Sequence, residues 1–296
     1  MPDSDQLASL MSLPLYTAYV PVLNAAATLR EVLAALRAQT IPPAELLVID
    51  DGSTDGSANI AEAAGAVVLR QPSTLGRGAA RHRAVAAAQN DFVMCVDATN
   101  RIAPDFAERA LRHFLTEPKL AAVHGLLVQP PPVTLAHRWR GRHLFRGRPG
   151  PIEKQAVHIT AAAMERRSAI LAVGSYRQDM PAHEDAELGR RLLAAGWDVW
   201  QDSDLRIECI GRNSLREVFA RYARWYEPRD RGWSWRDYPR NLRVALRVMV
   251  PADLAEHDWG SAWASILLPH YLLTLARSQA NSKNKSASIS TPSSPP

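Results

Sequence analysis

The sequence predicts a layered α/β domain: a mixed, mostly parallel sheet flanked by helices. Three observations lead there. Strand-like and helix-like segments alternate from the first apolar run onward. The connections between them are short, as in parallel sheets covered on both faces. Two strands run straight into acids, VIDD at Asp50–Asp51 and FVMCVD at Asp97. In such sheets ligands bind beyond the C-terminal strand ends, so these acids are expected to line one crevice.

The elements follow in order. Residues 16–23 read as a strand carrying Pro21. Thr28 and Glu31 have capping-box spacing, and Leu29, Val32, Leu33 and Leu36 give the next helix one apolar stripe. A second strand spans 45–50, a helix spans 54–64 and stops at Gly65, and a third strand spans 66–70. An Ala-rich helix over 78–89 and a strand over 92–96 come next. Pro104 can start a helix whose inner face is Phe106, Ala110, Leu111 and Phe114. A strand over 120–129 is halted by three prolines. Residues 133–157, rich in Arg, Gly and Pro, read as a mobile loop or lid. A helix over 185–196 ends at Gly196, followed by strands at 197–201 and 205–210 and a helix over 213–226. From Ser278 the Ser/Asn/Lys/Pro-rich composition predicts disorder. The sequence has no internal repeat.

The 296 residues suffice for one large α/β domain or two small ones. Two cysteines, Cys95 and Cys209, exclude a disulfide framework and are in keeping with a reducing cytoplasm. The N-terminus has acids before a weak apolar run, which argues against a secretory signal. Net charge is +5, concentrated between 206 and 247, where eleven arginines face five acids. Such a stretch is either a solvated face or a surface for an anionic partner: a membrane, a phosphorylated lipid or nucleic acid. No nucleic-acid module is recognisable, so that partner is not expected.

Locally, DGSTDG is turn chemistry, and it lacks the ligand spacing and closing Glu of a calcium loop. GRGAAR at 76–81 is not a dinucleotide fingerprint, because Arg81 stands where the third glycine belongs. His183-Glu184-Asp185 precedes a helix, so Asp185 sits among positive peptide dipoles; two acids there also make an N-cap and first turn.

Taken together, VPVLNAAATLREVLAALRAQTIPPAELLVIDDGSTDGS, LGRGAARHRAV, FVMCVDATNRIAPDF and AVGSYRQDMPAHEDAELGRRLLAAGW, in this order, resemble a family 2 glycosyltransferase of the GT-A fold over roughly residues 16–225. The resemblance implies an inverting enzyme that moves a sugar from a nucleotide diphosphate donor, a UDP-sugar, to a hydroxyl. It implies that Asp51 accepts a hydrogen bond from the donor base, that Arg81 contacts base or phosphate, and that Pro21, Val22, Asn24, Asp97 and Ala98 complete the nucleotide-sugar site. It makes Asp185 the general base, with Glu184 as the fallback.

The sequence departs from the family pattern at the metal. Asp97-Ala98-Thr99 occupies the slot of the DXD motif, whose last acid binds magnesium or manganese. Thr99 and Asn100 offer only neutral oxygens there. Where many relatives carry a metal-binding His, LRIECIGRNSL has Cys209, a soft ligand for a hard ion. Three outcomes stay open: feeble metal binding, neutralisation of the diphosphate by arginines such as Arg81 or those of 138–148, or a catalytically weakened nucleotide-sugar-binding partner or regulatory protein.

The expected organisation is an N-terminal arm (1–15), a GT-A domain (16–226) with a nucleotide-binding half (16–129) and an acceptor half (130–226), a basic aromatic helical extension (227–277) and a tail (278–296). NLRVALRVMV at 241–250 is basic and amphipathic. Residues 259–276 carry no formal charge with His270 neutral, but fall short of the ~20 apolar residues of a span and include Pro269. A cytoplasmic enzyme lying on the inner face of a membrane, acting on a glycan or lipid-linked acceptor in cell-envelope polysaccharide synthesis, is the reading that results.

Overall fold

The computed structural model describes residues 13–131, 134–145, 147, 149–180, 182–228 and 231–289, with side chains through Gln279. The described residues divide into two compact units, one of residues through Pro130 with Gly147–Gly211, the other of Pro131–Arg146 with the chain from Arg212 on.

The first unit contains the sheet. Its strands are β1 (Tyr16–Val22), β2 (Glu45–Asp50), β3 (Val67–Arg70), β4 (Phe92–Val96), β5 (Asn100–Ile102), β6 (Leu120–Val128), β7 (Glu153–Lys154), β8 (Ala162–Arg166) and β9 (Asp198–Cys209). They lie in the order β3-β2-β1-β4-β8-β6-β9-β5, with β7 beside β9. The first four are mutually parallel, as are β6 and β9. β8 runs antiparallel between β4 and β6, and this reversal brings its start to the C-terminal end of β4.

Alternate strand residues face opposite layers. Ala18, Val20 and Val22 pack against Leu29, Val32, Leu33 and Leu36 of α1 (Ala26–Arg37) and Phe106 and Leu111 of α4 (Phe106–Thr116). Tyr19, Leu47 and Ile49 pack on the other side against Ala80, Ala84 and Val85 of α3 (Arg77–Ala87) and Leu188 and Leu192 of α7 (Glu184–Ala194). Each fully buried leucine in these layers contributes about 2 kcal/mol of transfer free energy. The intervening helices are α2 (Ser57–Ala63), α5 (Leu135–His143) and α6 (Arg167–Ala172).

Several sequence expectations are corrected. Thr28 and Glu31 do not cap α1, which starts after Ala25 with no side-chain cap. The DGSTDGS loop caps it instead: Ser53 Oγ, Ser57 Oγ and Asp55 Oδ2 accept from the amides of Asn24, Ala25 and Ala26 at 3.0, 2.9 and 2.9 Å. Because the loop serves that helix, α2 begins at Ser57 rather than 54. Residues 133–157 are not a bare loop; Thr134 caps α5, its Oγ1 accepting from the His137 amide at 3.2 Å. The strands at 197–201 and 205–210 are one strand, β9, interrupted by a register shift against β6 between Gly125 and Leu126.

The second unit is helical: α5, then α8 (Leu215–Trp225), a 3₁₀ turn, α9 (Tyr238–Val244), a π-turn segment over Ala245–Met249, α10 (Val250–Ala255) and α11 (Trp259–Ile289). α11 continues past Ser278, where composition predicted disorder; no glycine or proline interrupts the chain between Pro269 and Pro292. The core of this unit is Trp139, fully buried, with Phe219 and Tyr222 edge-on at 5.2 and 5.8 Å. Beneath it Asp253, also fully buried, pairs with Arg142 and with His143 at 2.8 Å and accepts from Ser265 Oγ at 2.6 Å. Among the described residues no helix is long and apolar enough to cross a membrane.

Candidate active site

β1, β2 and β4 end on the same sheet edge because they are parallel neighbours. Pro21 and Val22 close β1 opposite Ile49 and Asp50. Asn24 follows in the left-handed region (φ 52), its Oδ1 accepting from the Thr54 amide at 2.8 Å. Asp50 Oδ1 accepts from the Ser53 amide at 2.9 Å. Asp51 is buried, and three donors compensate its charge. Gln71 Nε2 (2.6 Å) and the Leu75 amide (2.7 Å) reach Oδ1, and the Gly76 amide (2.9 Å) reaches Oδ2. A carboxylate accepts about four hydrogen bonds, so Asp51 anchors the 71–76 loop and keeps capacity for one more donor.

That loop leads through Gly76 (φ 96) into α3, on which Arg81 lies. Arg81 is 2% exposed. One arm donates to Asp97 Oδ1 at 3.0 Å and the other to the equally buried Glu184. Burial alone would lower its pKa, but Cys95, Asp97, Glu184 and Asp185 outweigh burial and hold the guanidinium charged. The guanidinium expected to contact base or phosphate lies buried against two carboxylates. Gly78, beside it, admits no side chain: a Cβ would stand 2.0 Å from the Arg177 carbonyl.

Asp185 is the second residue of α7, after His183 in the left-handed region (φ 65) and Glu184. Its Oδ2 accepts from the amide and the hydroxyl of Thr160 at 3.3 and 3.2 Å, and its Oδ1 from the Ala186 amide at 2.8 Å. Burial pushes this carboxyl up, but Arg81, His158 and the amides of Ala186 and Thr160 hold it below the ordinary carboxylate range. The Asp97 amide donates to the Ala161 carbonyl at 3.1 Å, next in the chain to Thr160. Asp97, Arg81, Glu184, Thr160 and Asp185 therefore form one connected cluster, with Asp51 joined to it through the 71–76 loop and α3.

The expected metal positions lie together without forming a cation site. Ala98 is buried and accepts at its carbonyl from Thr28 Oγ1 at 2.6 Å. The Thr99 carbonyl accepts from the amides of Ile210 and Gly211 at 2.9 and 3.3 Å. Asn100 is buried, donates to the Ala161 carbonyl at 2.9 Å, and pairs across the sheet with Cys209, itself buried. Among the described residues no group of three or more His, Cys, Asp or Glu side chains could hold a metal. A buried thiol, a buried amide and a lone carboxylate already on Arg81 do not suit a hard divalent cation.

Residues 17–172 match the family described as glycosyl transferase family 2. The chain belongs to that family. As a family 2 glycosyltransferase it is an enzyme that transfers sugars, and its fold is the GT-A fold of its structural neighbours. Among curated relatives, succinoglycan biosynthesis protein ExoA of Rhizobium meliloti is 28% identical over 89% of this chain and 81% of its own. The pre-mycofactocin glycosyltransferase of Mycobacterium tuberculosis is 30% identical over 70% of this chain but 45% of its own. Among solved structures, mannosyltransferase PcManGT from Pyrobaculum calidifontis, in complex with GDP-Man and Mn2+, superposes with TM-score 0.53 at 17% identity, over 95% of this chain and 81% of that one. S. aureus TarS 1–349 in complex with UDP-GlcNAc gives TM-score 0.57 at 15% identity, over 86% and 90%. With the family shown and a relative named as a glycosyltransferase, the reading of a non-catalytic partner is not favoured.

Sequence reasoning missed Thr160, Gln71 and β8. The run QAVHITAAAM carried the available signal. In it Ala156, His158 and Thr160 are buried while Val157 and Ile159 are exposed, so two polar residues sit on the inward side of an apolar extended stretch. Trp200 is core, edge-on to His113 at 5.6 Å.

Proposed function

We propose that this family 2 glycosyltransferase inverts the anomeric centre of a nucleoside diphosphate sugar, a UDP-sugar, as it transfers the sugar to a hydroxyl of a glycan or lipid-linked acceptor. Asp185 is the general base. The acceptor oxygen forms its bond to the anomeric carbon as the bond to the diphosphate breaks. The bonding pair leaves with the nucleoside diphosphate, and the hydroxyl proton passes to Asp185. Asp51, Asp97 and Ala98, with Pro21, Val22 and Asn24, line the donor side.

The observation that carries this reading is the link from Asp185 through Thr160 to the strand that meets Asp97, with Arg81 joining Asp97 to Glu184. It sets a carboxylate that stays ionised at neutral pH beside the C-terminal strand ends. Nucleotide sugars named with PcManGT and TarS support the donor class, and ExoA's name supports a polysaccharide product. The exposed Trp259 and Trp263 of α11 support a seat on a membrane surface.

The test is release of nucleoside diphosphate from UDP-glucose, UDP-GlcNAc and GDP-mannose, each with manganese, magnesium or chelator. Turnover of one donor, stopped by Asp185→Asn, is expected. Binding without turnover of any donor would overturn the reading.

A further inference from the structure

We propose that the buried pair His158–Glu165, acting with Thr160, is a positioning device for Asp185. The inference rests on the reading of Asp185 as base.

His158 is 1% exposed and Glu165 fully buried. Glu165 Oε1 lies 2.7 Å from His158 Nε2 and also accepts from the Tyr176 hydroxyl, while Oε2 accepts from Tyr19 Oη at 3.3 Å. A buried carboxylate is retained only when its lone pairs are met, and here two phenols and an imidazole meet them. The imidazole is thereby fixed from the sheet side. From the other side α7 holds it: a Cβ on Gly189 would stand 2.6 Å from His158 Cβ, so the helix that Asp185 opens lies directly on this histidine. Two residues on, Thr160 points to the same side of the extended chain and gives Asp185 Oδ2 both its amide and its hydroxyl. The stretch 158–160 thus contacts α7 at Gly189 and at Asp185, and Glu165 is what holds it in place.

His158 touches no position assigned to a reacting atom; it acts through Thr160 and through its field at Asp185. The titratable groups around this field are Arg81, Glu184 and Asp97 on the donor side, and Glu165, Tyr19, Tyr176, Cys95 and His124 behind. The His124 ring lies 6.3 Å from that of His158. His158 Nδ1 and His124 Nε2 are buried without a hydrogen-bond partner among the described residues.

The experiment titrates Asp185 in the intact protein by carboxyl NMR, its signal assigned by Asp185→Asn, in the wild type and in His158→Gln and Thr160→Val. Both variants are expected to raise the Asp185 midpoint. Turnover should fall with the KM for UDP-glucose little changed if that is the donor. Should His158→Gln fail to fold, Thr160→Val carries the test alone. An unchanged Asp185 titration in a folded variant overturns the proposal. Loss of the base reading is distinguishable: Asp185→Asn would then keep its turnover while the titration shifts remained.

Discussion

Arg81 donates to Asp97 at 3.0 Å from a position 2% exposed, and its other arm holds Glu184. One guanidinium thus ties the end of β4 to the start of α7. Removing one partner of a buried pair leaves an uncompensated charge, which costs about 3–5 kcal/mol. Arg81→Met is expected to lose stability on that scale in urea unfolding. Adding Glu184→Gln should recover part of the loss. A neutral result for Arg81→Met would show that the bridge does not hold the cluster.

Thr99→Asp is expected to supply the carboxylate that the cation site lacks, two residues after Asp97. Calorimetry with manganese should detect binding in the variant well above that of the wild type. Equal binding in both would mean that Thr99 does not set metal affinity.

His124 yields a pH prediction. Burial, with His158 beside it, holds the His124 pKa down to about 4. The unfolded chain protonates this imidazole near pH 6.5, so between there and about pH 4 the unfolded state binds the extra proton. Stability is therefore lost as pH falls through that window, by at most about 3 kcal/mol. His124→Gln should flatten the loss between pH 6.5 and 4 in thermal melts. An unaltered slope would place the acid sensitivity elsewhere.

The fold was legible because its signals are local and repeated. Leu29, Val32, Leu33 and Leu36 announce a helix face, and the acids after β2 and β4 announce the crevice. Asp51, Asp97 and Asp185 were legible as strand-end or helix-start acids. What was not legible depends on contacts distant in sequence. Thr28 and Glu31 match a capping box, yet Ser53, Asp55 and Ser57 win because the sheet brings their loop onto α1. Arg81 reads in the sequence as a base- or phosphate-contacting arginine, and its burial depends on the reversal at β8 and the seat of α7. Thr160 lies in a stretch whose Gly- and Pro-rich surroundings look like loop.

The second unit carries a membrane prediction. Trp259, Trp263 and Leu267 follow one another at four-residue spacing on α11 and are 69%, 66% and 51% exposed. Eleven arginines against seven acids between 212 and 279 add attraction to anionic headgroups. Co-sedimentation with vesicles containing phosphatidylglycerol is expected to weaken about tenfold in the Trp259→Ala/Trp263→Ala double variant and to fall with salt. Equal recovery of the double variant with the vesicles would remove α11 from that role.

We propose above that Asp185 takes the acceptor proton. The most direct measurement is turnover of Asp185→Asn on the donor that the wild type consumes, alongside calorimetric binding of that donor and a melting curve. Turnover is expected to fall at least about a hundredfold, with fold and donor affinity retained. Turnover within a few-fold of wild type in a folded, donor-binding variant would contradict it.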